Sequence, residues 1–384
     1  MTRRISLLMI VSLFLGALAG CGGQSAGGAN EVIKIGFFGP LSGDSASDGT
    51  NARNAAQLAI NQANAKQAIP GKTLQLVAYD DKLSQTDVVT AINNLVDNDK
   101  VSAVIGGSYS GPTRKAAPLL QAKGIPLLAA YATHPEVTTA GPMVFRVIYT
   151  SVVQGKAIGL FSMDKLGHKS FYVLSIDNDY GNSMSDSVKQ TIEAKGGTVA
   201  GARKFGADEK DFAVPLAEIK AAKADAVILI GYYAQSAEII KQARAQGIAL
   251  PIIGSDGLDS PSLLELGGPA VEGVVLATDF SRNDPRPIVQ DFIREFQAAY
   301  NTGPDVVASS TYDATNLLIE AIKRSNSSQP QAIRDAIAAT TTFEGVTGNI
   351  TFTPDREVAK TVLFVKIEKG SFAFLDKLDP SQLR

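Results

Sequence analysis

Six short segments of the sequence concentrate side chains that can recognise a small charged molecule. Each follows an apolar run and contains serine, threonine, tyrosine or aspartate, and all but 131–136 also contain glycine; the segments are residues 39–49, 106–113, 131–136, 177–181, 231–233 and 254–257. Turns favour several of these residue types for reasons of backbone geometry, so one such segment is weak evidence of a site. Six of them indicate a binding site assembled from several loops.

A small zwitterion needs the groups that these loops contain. A ligand carboxylate is bound by backbone N–H groups at a helix start and by hydroxyls, which Ser110 and Thr133 supply. A ligand ammonium needs a carboxylate, and Asp256 is the candidate. Tyrosines in the same loops offer apolar walls with a polar tip. We therefore predict a site for a small amino acid or a close analogue.

The patterns of common enzymes are missing from the sequence. Gly36-Phe-Phe-Gly-Pro-Leu lacks the glycine spacing of a dinucleotide site, and Pro40 stands where a phosphate-binding turn needs an N–H group. No Gly-x-Ser-x-Gly motif follows a strand. The two histidines, His134 and His168, do not have metal-ligand spacing, and we expect His134 to serve in a solvated loop or helix cap. We predict a binding protein with no catalytic residue, no cofactor and no metal.

Alternating strands and helices must position these loops. Strands are predicted at 32–38, 74–79, 101–105, 126–130, 171–176, 198–202, 226–230, 251–253 and 273–278. Helices are predicted at 51–66, 84–99, 113–123, 182–195, 212–223 and 236–246, with Ser84 and Asp87 forming a capping box. Strand–helix–strand crossovers require parallel sheets covered on both faces, and ligands bind beyond the carboxyl ends of such strands. We predict an α/β protein with two doubly wound parallel-sheet lobes.

The C-terminal part departs from this alternation. Long helices are predicted at 287–300 and 312–324, a shorter one at 330–338, and strand-like segments at Phe352 and 361–367. The chain has 384 residues and a formal net charge of −2. Its length suits two domains, and its near-balanced charge argues against nucleic-acid binding.

The N-terminal residues have the pattern of an export signal. Arg3 and Arg4 precede an apolar stretch of about 15 residues, which is short for a membrane-spanning helix. Leu18-Ala19-Gly20-Cys21 resembles the bacterial lipobox, and Cys21 is the sole cysteine of the sequence. We predict a lipoprotein signal peptide at 1–20, lipidation of Cys21 and a flexible tether at 21–30. The alternative is an ordinary secretory signal beside a chance cysteine.

Five motifs carry a resemblance to a known family. They are Ile33-Lys-Ile-Gly with Gly39-Pro-Leu-Ser-Gly, Tyr79-Asp-Asp, Val104-Ile-Gly-Gly, Glu209-Lys-Asp-Phe212 and Gln242-Ala-Arg-Ala-Gln-Gly247. Over essentially the whole mature chain, the sequence resembles the branched-chain amino acid binding proteins of ABC importers, which have the type I periplasmic binding fold. The resemblance implies a hinge of three chain crossings, with lobe 1 formed by 31–150 and 280–351 and lobe 2 by 151–279 and 352–384.

The resemblance also implies roles for individual residues. The carboxylate-binding serine and threonine of the family fall on Ser110 and Thr133, and its acidic ammonium partner falls on Asp256. The backbone carbonyl that accepts from the ligand ammonium falls on Tyr131. The pocket tyrosines fall on Tyr180 and Tyr232.

Two positions depart from the family pattern. Asp48 stands where members often have a pocket tyrosine, and a buried charge against an aliphatic ligand is costly unless it is paired. A polar or smaller ligand than leucine, isoleucine or valine therefore remains open. Leu83 and Tyr109 stand where some members have a disulfide pair, and we expect Tyr109 to line the mouth of the pocket.

The resemblance implies a monomeric, membrane-anchored lipoprotein of the periplasm or cell surface that delivers its ligand to ABC permease subunits. Two alternatives remain open from the sequence. In the first, the ligand is not an amino acid but an amide or a small carboxylate. In the second, the protein is a ligand-sensing subunit for a membrane receptor.

Overall fold

The computed structural model describes residues 30–354 and 356–383. The predicted signal peptide, the lipidated Cys21 and the tether up to residue 29 lie outside the described residues.

The first part of the chain builds a parallel sheet of five strands. Its elements are β1 (Glu31–Gly39), α1 (Ala46–Ala65), β2 (Lys72–Asp80), α2 (Gln85–Asn93), β3 (Ala103–Gly106), α3 (Ser110–Lys123), β4 (Leu127–Ala129), α4 (Glu136–Thr139) and β5 (Val144–Arg146). A π-helical turn at Asn94–Asn98 extends α2. The strand order is β2-β1-β3-β4-β5, and every pairing is parallel.

The next part builds most of a second sheet. Its elements are α5 (Ser151–Asp164), β6 (Ser170–Ile176), α6 (Asp179–Ala194), β7 (Thr198–Phe205), α7 (Ala213–Ala222), β8 (Ala226–Ile230), α8 (Tyr233–Ala245), β9 (Ile252–Gly254), α9 (Pro261–Gly267) and β10 (Val275–Thr278). A 3₁₀ turn at Asp256–Leu258 follows β9, and another at Gly268–Val271 follows α9.

The C-terminal part contributes to both halves of the molecule. Its elements are α10 (Pro287–Tyr300), α11 (Val306–Ser325), α12 (Pro330–Ala338), β11 (Phe343–Gly345), β12 (Gly348–Ile350), β13 (Val362–Glu368) and β14 (Ser371–Leu378), followed by a 3₁₀ turn at Pro380–Gln382. Helices α10 and α11 pack against α1, whereas β13 and β14 join the second sheet. That sheet has the order β14-β13-β10-β9-β8-β6-β7, with antiparallel pairing only between β10, β13 and β14.

The prediction of two doubly wound parallel sheets is confirmed. We call the half around the first sheet lobe 1 and the half around the second sheet lobe 2; their residue boundaries remain a prediction.

The periodicity of the sequence did not predict α5, because the faces of this helix are largely buried against α6 and β10 and it has no polar stripe. Ser84 caps α2 by accepting from the backbone N–H groups of Thr86 and Asp87. Phe352 lies in an isolated bridge with Val358, outside the named strands.

The chain passes between the sheets three times, at residues 147–150, 279–286 and 351–361. Buried Lys360 joins all three passages. Its Nζ donates to Asp279 at 2.6 Å and to the carbonyl of Val147 at 3.4 Å, and it also donates to the Thr347 hydroxyl at 2.5 Å. The hinge is thus held together by one ammonium group.

Candidate ligand-binding site

A cavity of about 20 Å³, room for about one water molecule, lies between the lobes at the carboxyl ends of the strands. Seven of the eight residues predicted to bind ligand line it: Asp48, Tyr109, Ser110, Tyr131, Tyr180, Tyr232 and Asp256. Residues that sequence reasoning missed complete the lining: Ile148, Gly257, Asp259, Ser260, Val306 and Val307. A ligand larger than water therefore enters only when the lobes or side chains move apart.

Thr133 is the exception among the predicted residues. It is fully buried, it does not line the cavity, and its hydroxyl has no hydrogen-bond partner. The next residue, His134, donates its backbone N–H to the Ser110 hydroxyl at 3.2 Å, so the loop that contains Thr133 contacts the start of α3. The predicted contact between Thr133 and ligand carboxylate is untested.

Helix starts present most of the site residues to the cavity. Ser110 opens α3, Tyr180 is the second residue of α6, and Tyr232 immediately precedes α8. Helices α1, α3, α6 and α8 begin three to five residues before their predicted starts, because glycine and polar residues in the first turn interrupt the apolar period. Each of these starts carries a partial positive charge, which favours a ligand carboxylate.

Two glycines let the starts of α1 and α6 lie against the backbone at the ends of β1 and β6. A Cβ atom on Gly49 would lie 2.0 Å from the carbonyl oxygen of Pro40, and one on Gly181 would lie 2.0 Å from that of Ile176. Neither distance is compatible with a side chain. Glycine at these positions therefore allows Asp48 and Tyr180, the preceding residues, to reach the cavity.

Four tyrosines form an aromatic cluster across the cleft. The rings of Tyr109 in lobe 1 and Tyr232 in lobe 2 stack with centroids 4.0 Å apart and an interplanar angle of 6°. Tyr180 stacks on Tyr232 at 5.3 Å, and Tyr131 meets the edge of Tyr109 at 5.9 Å. The stack joins the two lobes directly, so a ligand must displace or extend it.

Two buried aspartates face the cavity from opposite lobes. Tyr180 donates its hydroxyl to Oδ1 of Asp256 at 2.6 Å, and Tyr109 donates its hydroxyl to Oδ2 of Asp48 at 2.6 Å. Burial raises the pKa of Asp256 to about 7. Burial, together with the charge of nearby Asp305, raises the pKa of Asp48 well above its ordinary value.

Two further buried carboxylates were not foreseen: Asp259, which lines the cavity, and Asp305, whose charge acts on Asp48. Asp259 accepts from Arg282 at 2.7 Å and from the Thr278 hydroxyl at 2.6 Å. Asp305 caps α11 by accepting from the Ala308 N–H, and burial raises its pKa to about 6. The signals available for them were helix-start patterns, Ser260-Pro261 after Asp259 and Gly303-Pro304 before Asp305.

Polar contacts close the cleft around the cavity. Arg114 pairs with Asp179 at 2.8 Å, the Tyr233 hydroxyl donates to the Asp44 carbonyl at 2.8 Å, and the hydroxyls of Ser47 and Ser262 lie 3.2 Å apart. Each contact joins lobe 1 to lobe 2. The described conformation is therefore a closed one.

Within residues 30–354 and 356–383, no cluster of three or more histidine, cysteine, aspartate or glutamate side chains is arranged to hold a metal ion. In the same part of the chain, no helix combines the length and the apolar character needed to cross a bilayer. His134 accepts the Glu136 N–H through Nδ1 at the start of α4, which is a capping contact.

Comparisons with known proteins agree with this architecture. The model of the periplasmic binding protein family matches residues 32–371. The leucine-, isoleucine-, valine-, threonine- and alanine-binding protein of Pseudomonas aeruginosa is 30% identical over 91% of this chain and 92% of its own length.

Two solved structures have the same fold as this chain. The branched-chain amino acid transporter substrate-binding protein LivJ of Streptococcus pneumoniae, in complex with isoleucine, superimposes with a TM-score of 0.85 at 29% identity, covering 90% of this chain and 100% of that one. A solute-binding protein of an ABC transporter from Rhodopseudomonas palustris, in complex with 3,4-dihydroxybenzoic acid, gives 0.83 at 26% identity, covering 91% and 98%.

Proposed function

Because this chain belongs to the periplasmic binding protein family, we propose that it captures a small amino acid between its two lobes as the solute-binding component of an ABC importer. Family membership confirms the resemblance that the sequence motifs indicated. It also makes the protein a binding protein for transport, as predicted, and not an enzyme.

One observation carries the choice of ligand: a group that favours an anion and a group that favours a cation line the same cavity. Ser110 at the start of α3 offers a hydroxyl and the positive end of a helix dipole. Asp256 offers a carboxylate from the other lobe. An α-amino acid has one charged group for each, so it bridges the lobes in a way that a molecule with a single charge does not.

Ligand binding and lobe closure are one event in this proposal. The ligand first places its carboxylate on lobe 1 near Ser110 and Thr133, and its ammonium near the Tyr131 carbonyl. Lobe 2 then brings Asp256, Tyr180 and Tyr232 against the ammonium and the side chain. Closure excludes water and strengthens each charged contact, so a bridging ligand shifts the population toward the closed form.

The same family membership gives the protein an extracytoplasmic location. We propose further that Cys21 carries a lipid which anchors the protein to a membrane, and that the monomeric closed form is what the permease subunits recognise. Delivery to a permease and signalling to a membrane receptor both require this closed form. The permease assignment follows the relatives, which are named as transporter proteins.

A thermal-shift and calorimetry panel on the purified protein tests the proposal. The panel contains amino acids, small amides and plain carboxylates, including 3,4-dihydroxybenzoate. A bound amino acid at 100 times its Kd should stabilise the fold by about 2.7 kcal/mol. Stabilisation by an amide or a plain carboxylate alone would contradict the proposal.

The variant Asp256→Ala identifies the ammonium partner. We expect the affinity for the amino acid to fall by about two to three orders of magnitude, because a buried ammonium loses its carboxylate. Asp186→Ala, which removes a largely exposed aspartate of lobe 2, is the matched control and should bind like the wild type. Unchanged affinity in Asp256→Ala would remove this residue from the site.

A further inference from the structure

We propose that the ligand side chain carries a hydroxyl or primary amide that hydrogen-bonds to Asp48, so that the site selects a small polar amino acid over branched aliphatic ones. This inference rests on the proposed function and specifies its substrate class.

The first observation is an unpartnered oxygen on a residue that lines the cavity. Asp48 lines the cavity and is 3% exposed, and its Oδ1 atom has no hydrogen-bond partner. A buried carboxylate oxygen left without a partner costs about 1–3 kcal/mol or more. A ligand atom that hydrogen-bonds to Oδ1 removes this cost. An aliphatic side chain at the same place cannot form that hydrogen bond, so the cost remains in the complex.

The second observation concerns the charges around Asp48. Asp259, which also lines the cavity, accepts from the positively charged Arg282, whereas Asp48 accepts from the neutral hydroxyl of Tyr109. The carboxylates of Asp305, Asp259 and Asp256 add to burial in holding the Asp48 proton. Asp48 therefore faces the cavity either as a neutral acid, which donates, or as a carboxylate, which accepts.

Hydroxyl and primary amide groups suit both protonation states, because each contains a donor and an acceptor. A second ammonium suits only the ionised carboxylate. Ile148, Val306 and Val307 form an apolar part of the same lining. A short side chain with one polar end and some apolar surface matches this lining.

Matched ligand pairs test the inference without changing the protein. Threonine and valine have nearly the same shape, as do asparagine and leucine, and each pair differs by the polar group. Isothermal calorimetry on the wild type should show the polar member binding about tenfold tighter or more in at least one pair.

Two variants assign the preference to Asp48. Asp48→Leu removes the carboxylate and should abolish or reverse the difference within the pair. Asp48→Asn keeps a donor and an acceptor at the same place and should retain the preference for the polar ligand. If Asp48→Leu does not fold, the wild-type pairs together with Asp48→Asn still decide the matter.

The two proposals fail in different ways. Equal or tighter binding of valine and leucine would overturn the role of Asp48 while leaving an amino acid binding protein. Failure of every amino acid to bind, with response to other compounds, would overturn the proposed function itself.

Discussion

Tyrosine hydroxyls hold both aspartates that line the cavity. Tyr109 donates to Asp48 within lobe 1, and Tyr180 donates to Asp256 within lobe 2, each at 2.6 Å. The same rings form the aromatic stack through Tyr232. Each tyrosine therefore orients a carboxylate and forms part of the closing surface, so ligand that parts the rings also alters the surroundings of the carboxylates.

The raised pKa of Asp256 has a consequence for stability. In an unfolded chain the pKa of aspartate is about 3.9, and in the folded protein burial raises it to about 7. The folded state thus binds this proton more tightly than the unfolded chain does. The resulting contribution to the free energy of unfolding is fully present below about pH 4 and is lost as the pH rises through about 7. The loss amounts to about 4 kcal/mol at most.

The variant Asp256→Asn isolates this effect, because an amide mimics the neutral acid and still accepts from Tyr180. Urea unfolding of variant and wild type between pH 4 and 8 should show the variant gaining relative stability as the pH rises to about 7, then a constant difference. Asp81 and Asp305, whose pKa values are also raised to about 6, titrate in both proteins and cancel. Parallel stability curves would show that Asp256 does not titrate in this range.

At the scale of elements, the site depends on where helices begin. Helices α3, α6 and α8 begin within four residues of a strand end, and α1 begins seven residues after β1; Asp48, Ser110, Tyr180 and Tyr232 lie in or next to the first turns of these helices. Close approach of a helix start to a strand end leaves no room for a side chain at Gly49 and Gly181. Packing at these two points therefore sets the positions of Asp48 and Tyr180.

Gly49→Ala tests this dependence. The added methyl group meets the backbone of Pro40 rather than a flexible side chain, so α1 must shift. We expect a loss of about 1–3 kcal/mol in the free energy of unfolding, together with weaker ligand binding because Asp48 moves. The control is Gly206→Ala, where a Cβ has open space and the change should stay within about 1 kcal/mol. Equal effects of the two substitutions would refute the packing argument.

At the scale of the whole molecule, the hinge combines three chain passages around Lys360. Its ammonium is buried with Asp279 and also contacts the Thr347 hydroxyl, which in turn donates to Asp313. Burial raises the pKa of Asp279, and the nearby Lys360 charge opposes that rise. Lys360 and Asp279 thus form a buried ion pair inside the hinge.

Lys360→Met should lower the free energy of unfolding by about 3–5 kcal/mol, because Asp279 is left as an unpaired buried charge. The double variant Lys360→Met with Asp279→Leu should recover much of this loss, since no isolated charge remains. Chemical denaturation of the wild type, the single variants Lys360→Met and Asp279→Leu, and the double variant measures the coupling. A double variant that loses the sum of the two single losses would contradict a coupled pair.

Much of the architecture was predictable from local sequence. Apolar runs and helical periods identified most strands and helices, and β8 has the predicted bounds at 226–230. The rule that ligands bind at strand ends selected loops that do line the cavity. These features follow from burial patterns within about 20 residues of chain, which local sequence carries directly.

Tertiary structure alone decided which groups converge. Asp305 lies more than 250 residues from Asp48, yet it influences that carboxylate, and Val306 and Val307 line the same cavity as Asp48. Thr133 was selected by its loop, but it is buried and does not line the cavity. Desolvation and pairing depend on every neighbour in space, and those neighbours come from distant segments. The sequence by itself determined the elements and the candidate loops, whereas packing of the two lobes decided how deeply each site residue is buried and which groups it contacts.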